Sequence, residues 1–172
     1  IPHDKFARRA KKEGYRARSA YKLLDIQRKF RILKPGDFVL DLGAAPGSWM
    51  QATIKIIGEN GKILGIDKEP IAPFNGEYMG GEGVKVLKKD IFDKTILEYI
   101  LVYFGRKIDV VLSDAAPATT GIKSMDQAKS LELAERALEI AVAVLKQGGN
   151  AVIKIFEGEG TAELLKKARA HF

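Results

Sequence analysis

The sequence of 172 residues is long enough for one domain with a substantial hydrophobic core, and its 46% hydrophobic and 30% charged residues are typical of a globular protein. It contains no cysteine, which excludes disulfide bonds, thiolate zinc sites and a cysteine nucleophile, and no apolar run approaches the roughly 20 residues of a membrane span. With no secretory signal at its start and a net charge of +7, the sequence predicts a cytoplasmic protein that binds a polyanion.

The positive charge is concentrated at the start of the chain. Residues 1–34 hold 12 Lys and Arg against 3 Asp and Glu, whereas the rest holds 17 against 19. The pattern predicts two helices here, over 4–12 and 17–30, and aromatic residues lie between the charges. A solvated basic helix is one interpretation; we favour an arm that contacts RNA phosphates. The predicted contacts are Arg8, Arg9, Lys11, Lys12, Arg16 and Arg18.

A strand, a glycine turn and a helix follow the arm. The run Phe38–Leu42 predicts a buried strand, and Ser48–Ile57 predicts a helix. The turn between them contains Gly43 and Gly47 but lacks the middle glycine that lets a pyrophosphate approach the backbone, and no triphosphate-loop lysine follows. An acidic residue at the strand end would repel a phosphate and suit a cationic ligand. The turn therefore favours S-adenosylmethionine, which carries an ammonium group and a sulfonium but no phosphate.

The remaining elements alternate between strands and helices. We predict strands over 62–67, 84–88, 108–112 and 150–156, helices from 93 or 94 to 103, over 126–145 and over 161–170, and a loop over 68–83. This alternation indicates a single α/β domain, with a mostly parallel sheet and helices on both of its faces. Ligands of such sheets bind beyond the carboxyl ends of the strands.

Chemically useful side chains fall at those strand ends. Asp67 lies at the distance from the glycine turn that is typical of a ribose-binding carboxylate, with a turn residue as the alternative. Asp90 suits an adenine amino group or, equally, a helix cap. Asp114 begins Asp-Ala-Ala-Pro, which lacks the aromatic residue of enzymes that methylate base nitrogens. Lys154 lies in an apolar strand, where it is either a desolvated base or an edge lysine that faces solvent.

Four segments in this order resemble the FtsJ/RrmJ family of RNA ribose 2′-O-methyltransferases. They are residues 18–23 (RSAYKL), 41–49 (DLGAAPGSW), 112–117 (LSDAAP) and 152–154 (VIK). The resemblance implies a Rossmann-like fold that uses S-adenosylmethionine and a Lys-Asp-Lys-Glu catalytic set, in which Lys22, Asp114 and Lys154 take the first three places. It places the cofactor against Asp41, Gly43, Ala44, Pro46, Gly47, Trp49, Asp67, Asp90, Ile91 and Asp114. We expect the fourth residue and the last two strands of the family to lie beyond Phe172.

The resemblance implies methyl transfer to a ribose 2′-hydroxyl of RNA, with a uridine of large-subunit (23S-type) ribosomal RNA, free or in an assembled subunit, as the favoured target. A transfer RNA is the alternative substrate. A non-catalytic RNA-binding module and a nicotinamide oxidoreductase are the alternative functions. No residues have the spacing of a metal site, so we predict no metal.

Overall fold

A parallel sheet with helices on both faces forms the centre of the molecule. The computed structural model describes residues 5–74 and 83–172, and within these ranges it contains six helices and five strands. In chain order they are α1 Lys5–Lys12, α2 Ala20–Phe30, β1 Phe38–Leu42, α3 Ser48–Ile57, β2 Lys62–Asp67, β3 Val84–Lys88, α4 Ile96–Phe104, β4 Ile108–Ser113, α5 Lys123–Val144, β5 Leu145–Ile153 and α6 Thr161–Arg169.

The strands have the order β3-β2-β1-β4-β5, and every neighbouring pair is parallel. The order reverses between β1 and β4, because the chain builds outward to β3 and then returns to the other side of β1. At their carboxyl ends Leu42 is paired with Ile66 of β2 and with Ser113 of β4. A sheet of this kind opens a crevice where its order reverses, so the loops after β1, β2 and β4 meet at one place.

Apolar side chains from the two faces of the sheet form two cores. On one face Leu40 and Leu42 pack with α4 and α5, and on the other Val39 packs with α2 and α3. The central strands are buried on both sides, which explains why they read as continuous apolar runs rather than as alternating ones. Among the described residues no helix is long and apolar enough to cross a membrane.

The predicted α/β fold is confirmed, but several boundaries differ. Helix α2 begins at Ala20 rather than at residue 17, and α4 begins at Ile96 because Asp93 first forms a turn by accepting hydrogen bonds from the amide and hydroxyl of Thr95, at 2.8 and 2.6 Å. Helix α5 begins at Lys123, and Asp126 lies inside its first turn. Residues 75–82 of the predicted 68–83 loop and residue 4 of the first predicted helix lie outside the described residues.

Strand β5 differs most from its prediction. It runs over Leu145–Ile153 instead of 150–156, with an irregularity where the pairing passes from Ile108 to Val110. Gly148, which the prediction left between a helix and a strand, adopts a φ of +76° in that irregularity and lies inside the strand. Lys154, predicted inside the strand, lies one residue beyond its end.

Candidate functional site

The carboxyl ends of β1, β2 and β4 surround a cavity of about 390 Å³. Five residues that were predicted to bind a cofactor line this cavity: Gly43, Asp67, Asp90, Ile91 and Asp114. Ala45, in the same glycine turn, also lines it and was not predicted. Lys68, Glu69, Phe92, Ala115, Ala116, Pro117 and Leu133 complete the lining and were not predicted. The crevice at the reversal of strand order is therefore the candidate site.

Gly43 brings the first turn of the site close to the segment that follows β4. Its φ of +69° is a conformation that side chains other than glycine rarely adopt, and its amide donates to the Ile66 carbonyl at 2.8 Å. A Cβ atom at this position would lie 2.6 Å from the Cα of Ala115. The absence of a side chain at Gly43 thus permits the turn to pack directly beneath the segment that carries Asp114.

Asp41 is fully buried near the end of β1, and within the described part of the chain neither of its carboxylate oxygens has a hydrogen-bond partner. Burial raises the pKa of Asp41 well above its ordinary value, and the nearby Asp114 and Asp67 carboxylates raise the pKa further. A buried carboxylate without a partner is costly unless a cation or a donor reaches it. This electrostatic environment favours a positively charged ligand in the crevice.

Asp67 and Asp90 present carboxylate oxygens to the same cavity. Asp67 Oδ2 accepts the amide of Ala45 at 2.9 Å and its Oδ1 accepts the amide of Glu69 at 2.8 Å. Asp90 Oδ1 accepts the amide of Phe92 at 2.9 Å. A carboxylate oxygen has two lone pairs, so these contacts fix both side chains and leave acceptor capacity for a ligand.

Lys154 and Asp114 form an ion pair at the edge of the cavity. Nζ of Lys154 lies 3.0 Å from Asp114 Oδ1 and donates to the Asp114 carbonyl at 3.3 Å. Both side chains are mostly buried, at 26% and 19% exposure. The amide of Lys154 donates to the Ser113 carbonyl at 2.8 Å, which continues the pairing of the sheet by one step. The sequence predicted both residues, and the structure brings them together.

Lys22 lies on the exposed side of the first turn of α2. No hydrogen bond or ion pair joins it to Asp114 within the described ranges. The start of α2 is nevertheless attached to the start of α3, since the Ser19 and Ser48 hydroxyls are 2.7 Å apart and Trp49 Nε1 donates to the Ser19 carbonyl at 2.8 Å. Lys22 therefore lies in the first turn of a helix whose start is attached to the helix that follows the glycine turn.

Ala44 and Trp49, two further predicted cofactor residues, are each 4% exposed and belong to the core beneath α3. Pro46 and Gly47 lie in the turn but not in the lining of the cavity.

Comparison with known proteins identifies the family. The FtsJ-like methyltransferase family model matches residues 15–172. The chain belongs to this family. It is 47% identical over 169 residues to the ribosomal RNA large subunit methyltransferase E of Methanoculleus marisnigri, and the alignment covers 98% of this chain and 79% of that protein. The protein of the same name from Desulfatibacillum aliphaticivorans is 43% identical and covers 98% of this chain and 78% of its own length.

Solved structures agree with this assignment. A ribosomal RNA methyltransferase from Plasmodium falciparum superposes with a TM-score of 0.79 at 30% identity, over 91% of this chain and 86% of that one. Fibrillarin from Aeropyrum pernix, crystallised with natively bound S-adenosyl-L-methionine, has a TM-score of 0.56 at 19% identity, over 89% of this chain and 66% of that one, and it supports the fold alone. The predicted family and fold are confirmed.

The basic arm of this FtsJ-like protein divides into two kinds of residue. In α1 Arg9 pairs with Glu13 at 2.7 Å and lies over the Tyr21 ring, while Lys11 and Lys12 are exposed. Arg16 instead points toward the glycine turn and contacts backbone carbonyls, a role that the composition of the arm did not indicate. The sequence signal that could have suggested it is Gly47, a glycine that leaves room for another group.

Proposed function

We propose that this protein transfers a methyl group from S-adenosylmethionine to a ribose 2′-hydroxyl of RNA, and that large-subunit ribosomal RNA is its substrate. The observation that carries the proposal is the Lys154–Asp114 ion pair at the edge of the crevice. Support comes from membership of the FtsJ-like family and from relatives named ribosomal RNA large subunit methyltransferase E.

The crevice fits the proposed cofactor. Asp41 is buried next to the cavity-lining Asp67 and Asp114 rather than in the lining itself, and its carboxylate oxygens have no hydrogen-bond partner among the described residues. It would add negative charge beneath a ligand that carries an ammonium group. Asp67 would accept hydrogen bonds from the ribose hydroxyls of the cofactor, and Asp90 and Ile91 would contact its adenine. Bound S-adenosylmethionine supplies a methyl group made electrophilic by its sulfonium.

Lys154 would accept or steer the proton of the RNA ribose hydroxyl. A ribose hydroxyl is a weak nucleophile until its proton is accepted or held by a positioned group. Asp114 would hold Nζ of Lys154 for this role, because it contacts the amine from two sides, through its carboxylate and its carbonyl. Lys22, on a helix attached beside the glycine turn, would add a second cation that stabilises negative charge on the oxygen. Because these groups act together, the effects of single substitutions should not be additive.

The test is Lys154→Ala with tritiated S-adenosylmethionine and RNA. We expect the methylation rate to fall about 10²-fold or more, the range for loss of a positioned acid–base group, while cofactor binding persists. Lys166→Ala, on the exposed surface of α6, serves as the matched control and should retain the wild-type rate. Full methylation by Lys154→Ala would refute the assigned role.

The same assay, run with the wild-type protein, identifies the substrate by comparing assembled large ribosomal subunits, free ribosomal RNA and transfer RNA. Label in large-subunit RNA supports the proposal, and label in transfer RNA alone would replace its substrate. RNA binding without any label would indicate a non-catalytic module, and binding of NADH but not of S-adenosylmethionine would indicate an oxidoreductase.

A further inference from the structure

Arg16 connects three segments of the chain that are distant in sequence. Its Nη1 donates to the carbonyls of Pro46 at 3.0 Å and Ala72 at 2.7 Å, and its Nη2 donates to the carbonyl of Pro73 at 2.7 Å. The guanidinium also lies 4.1 Å from the centre of the Phe74 ring. It thereby joins the basic arm to the glycine turn and to the segment that follows Asp67.

The backbone of Arg16 is fixed as firmly as its side chain. Its amide donates to Gln51 Oε1 at 2.8 Å, and Gln51 Nε2 donates to the Gly14 carbonyl at 2.8 Å. Gln51 is buried in α3, the helix that begins at the glycine turn. Because both ends of this short segment are held to α3, the guanidinium is directed at the turn rather than into solvent.

The glycine turn is shaped around this guanidinium. Gly47 has a φ of +102°, and a Cβ atom there would lie 2.7 Å from Arg16 Nη1 and 2.9 Å from Phe74 Cζ. Gly47 therefore provides the space that lets Arg16 reach the Pro46 carbonyl. An arginine whose donors bind three main-chain carbonyls in a fixed planar fork is a poor candidate for a phosphate contact, because a phosphate would have to displace those bonds.

We propose that Arg16 is a positioning residue that holds the glycine turn in its cofactor-binding shape, and that it is not an RNA contact. This inference rests on the proposed function, because it takes S-adenosylmethionine as the ligand of the turn. Together with the contact between the Ser19 and Ser48 hydroxyls, Arg16 attaches the segment before α2 to the glycine turn and to the start of α3.

The experiment compares Arg16→Ala and Arg16→Lys with Arg28→Ala. Arg28 is an exposed arginine in the same basic arm and serves as the matched control. Within the described residues its ion pair is with Asp25, three residues away on the same helix. The dissociation constant of S-adenosylhomocysteine should rise about tenfold or more in Arg16→Ala, since one charge-assisted hydrogen bond between segments is on the scale of a tenfold change. Lysine keeps the charge but not the planar fork, so Arg16→Lys should show a clear part of this loss and covers the case in which alanine unfolds the protein.

Three readouts separate positioning from a general structural role. Trp49 is the only tryptophan in the sequence, so quenching of its fluorescence by acrylamide reports on the start of α3 in the ligand-free protein, and it should increase in both Arg16 variants. Free guanidinium should restore cofactor affinity to Arg16→Ala and leave Arg28→Ala unchanged. The salt dependence of RNA binding should keep its wild-type slope, whereas loss of a phosphate contact would reduce the slope by about 1.

An unchanged cofactor affinity with a reduced salt slope would overturn the inference and make Arg16 an RNA contact. Failure of guanidinium rescue, in a variant that is otherwise folded, would also overturn it. If the wild-type protein binds no S-adenosylhomocysteine, the proposed function fails, and Trp49 quenching still decides whether Arg16 holds the turn.

Discussion

Replacing Gly43 with alanine tests whether the first turn of the site depends on close contact with the segment that follows β4. The left-handed φ of +69° costs an alanine about 1–2 kcal/mol. The new Cβ would also lie 2.6 Å from both Cα and Cβ of Ala115, an overlap that backbone atoms relieve only by moving, at a cost of about 1–3 kcal/mol. We therefore expect Gly43→Ala to lower the free energy of unfolding by about 2–5 kcal/mol.

Gly105→Ala is the matched control for this change. Gly105 has nearly the same φ, +65°, but no atom of residues 5–74 or 83–172 beyond its immediate chain neighbours lies within 4 Å of the place where its Cβ would be. Urea unfolding of the two variants should differ by about 1–3 kcal/mol, which isolates the contact with Ala115. Methyl transfer should fall only in Gly43→Ala, since Ala115 adjoins Asp114. A stability difference below about 0.5 kcal/mol would refute the reasoning.

Two carboxylates yield predictions with pH as the variable. The pKa of Asp41 is raised in the folded protein, so the stability of the wild type declines as the pH rises above the ordinary aspartate range. Asp41→Asn lacks this loss, so its melting temperature relative to wild type should increase as the pH rises above about 5 without ligand. A pH-independent difference would contradict this. The pKa of Asp109 is lowered, because Lys146, the Phe38 amide and Arg106 together outweigh its burial, so its contribution is present at neutral pH and disappears in acid. Asp109→Ala should lower the free energy of unfolding by about 1–3 kcal/mol at neutral pH, with the gap closing below about pH 4 in urea titrations.

Local patterns were sufficient where a segment is buried along its whole length. Residues 38–42 and 62–67 became β1 and β2 with the predicted bounds, because a strand buried on both faces forms a short, mainly apolar run. Residues 48–57 became α3, also with the predicted bounds. The bounds of β5 were wrong because its irregularity depends on pairing with β4, and that pairing is invisible in the local sequence.

The site shows the same division. Strand-end acids could be predicted, because parallel strands end at one edge of a sheet, and Asp67, Asp90 and Asp114 do line one cavity. The contacts of Arg16 could not be predicted, because its partners are main-chain carbonyls 30 to 57 residues away, and every residue of a sequence has a carbonyl. The sequence also could not predict that the Asp41 carboxylate lacks a hydrogen-bond partner among the described residues, because only the packing around Asp41 reveals it.

The hydrogen bond from the Lys154 amide to the Ser113 carbonyl means that main-chain atoms, common to every amino acid, position the residue that carries the proposed catalytic amine. Successive residues of a strand face opposite sides of the sheet, so adding or removing a single residue between the irregularity and Lys154 would carry the amine to the far side, away from Asp114. Methyl transfer by this protein should therefore tolerate many side-chain substitutions along β5, but no insertion or deletion between the irregularity and Lys154.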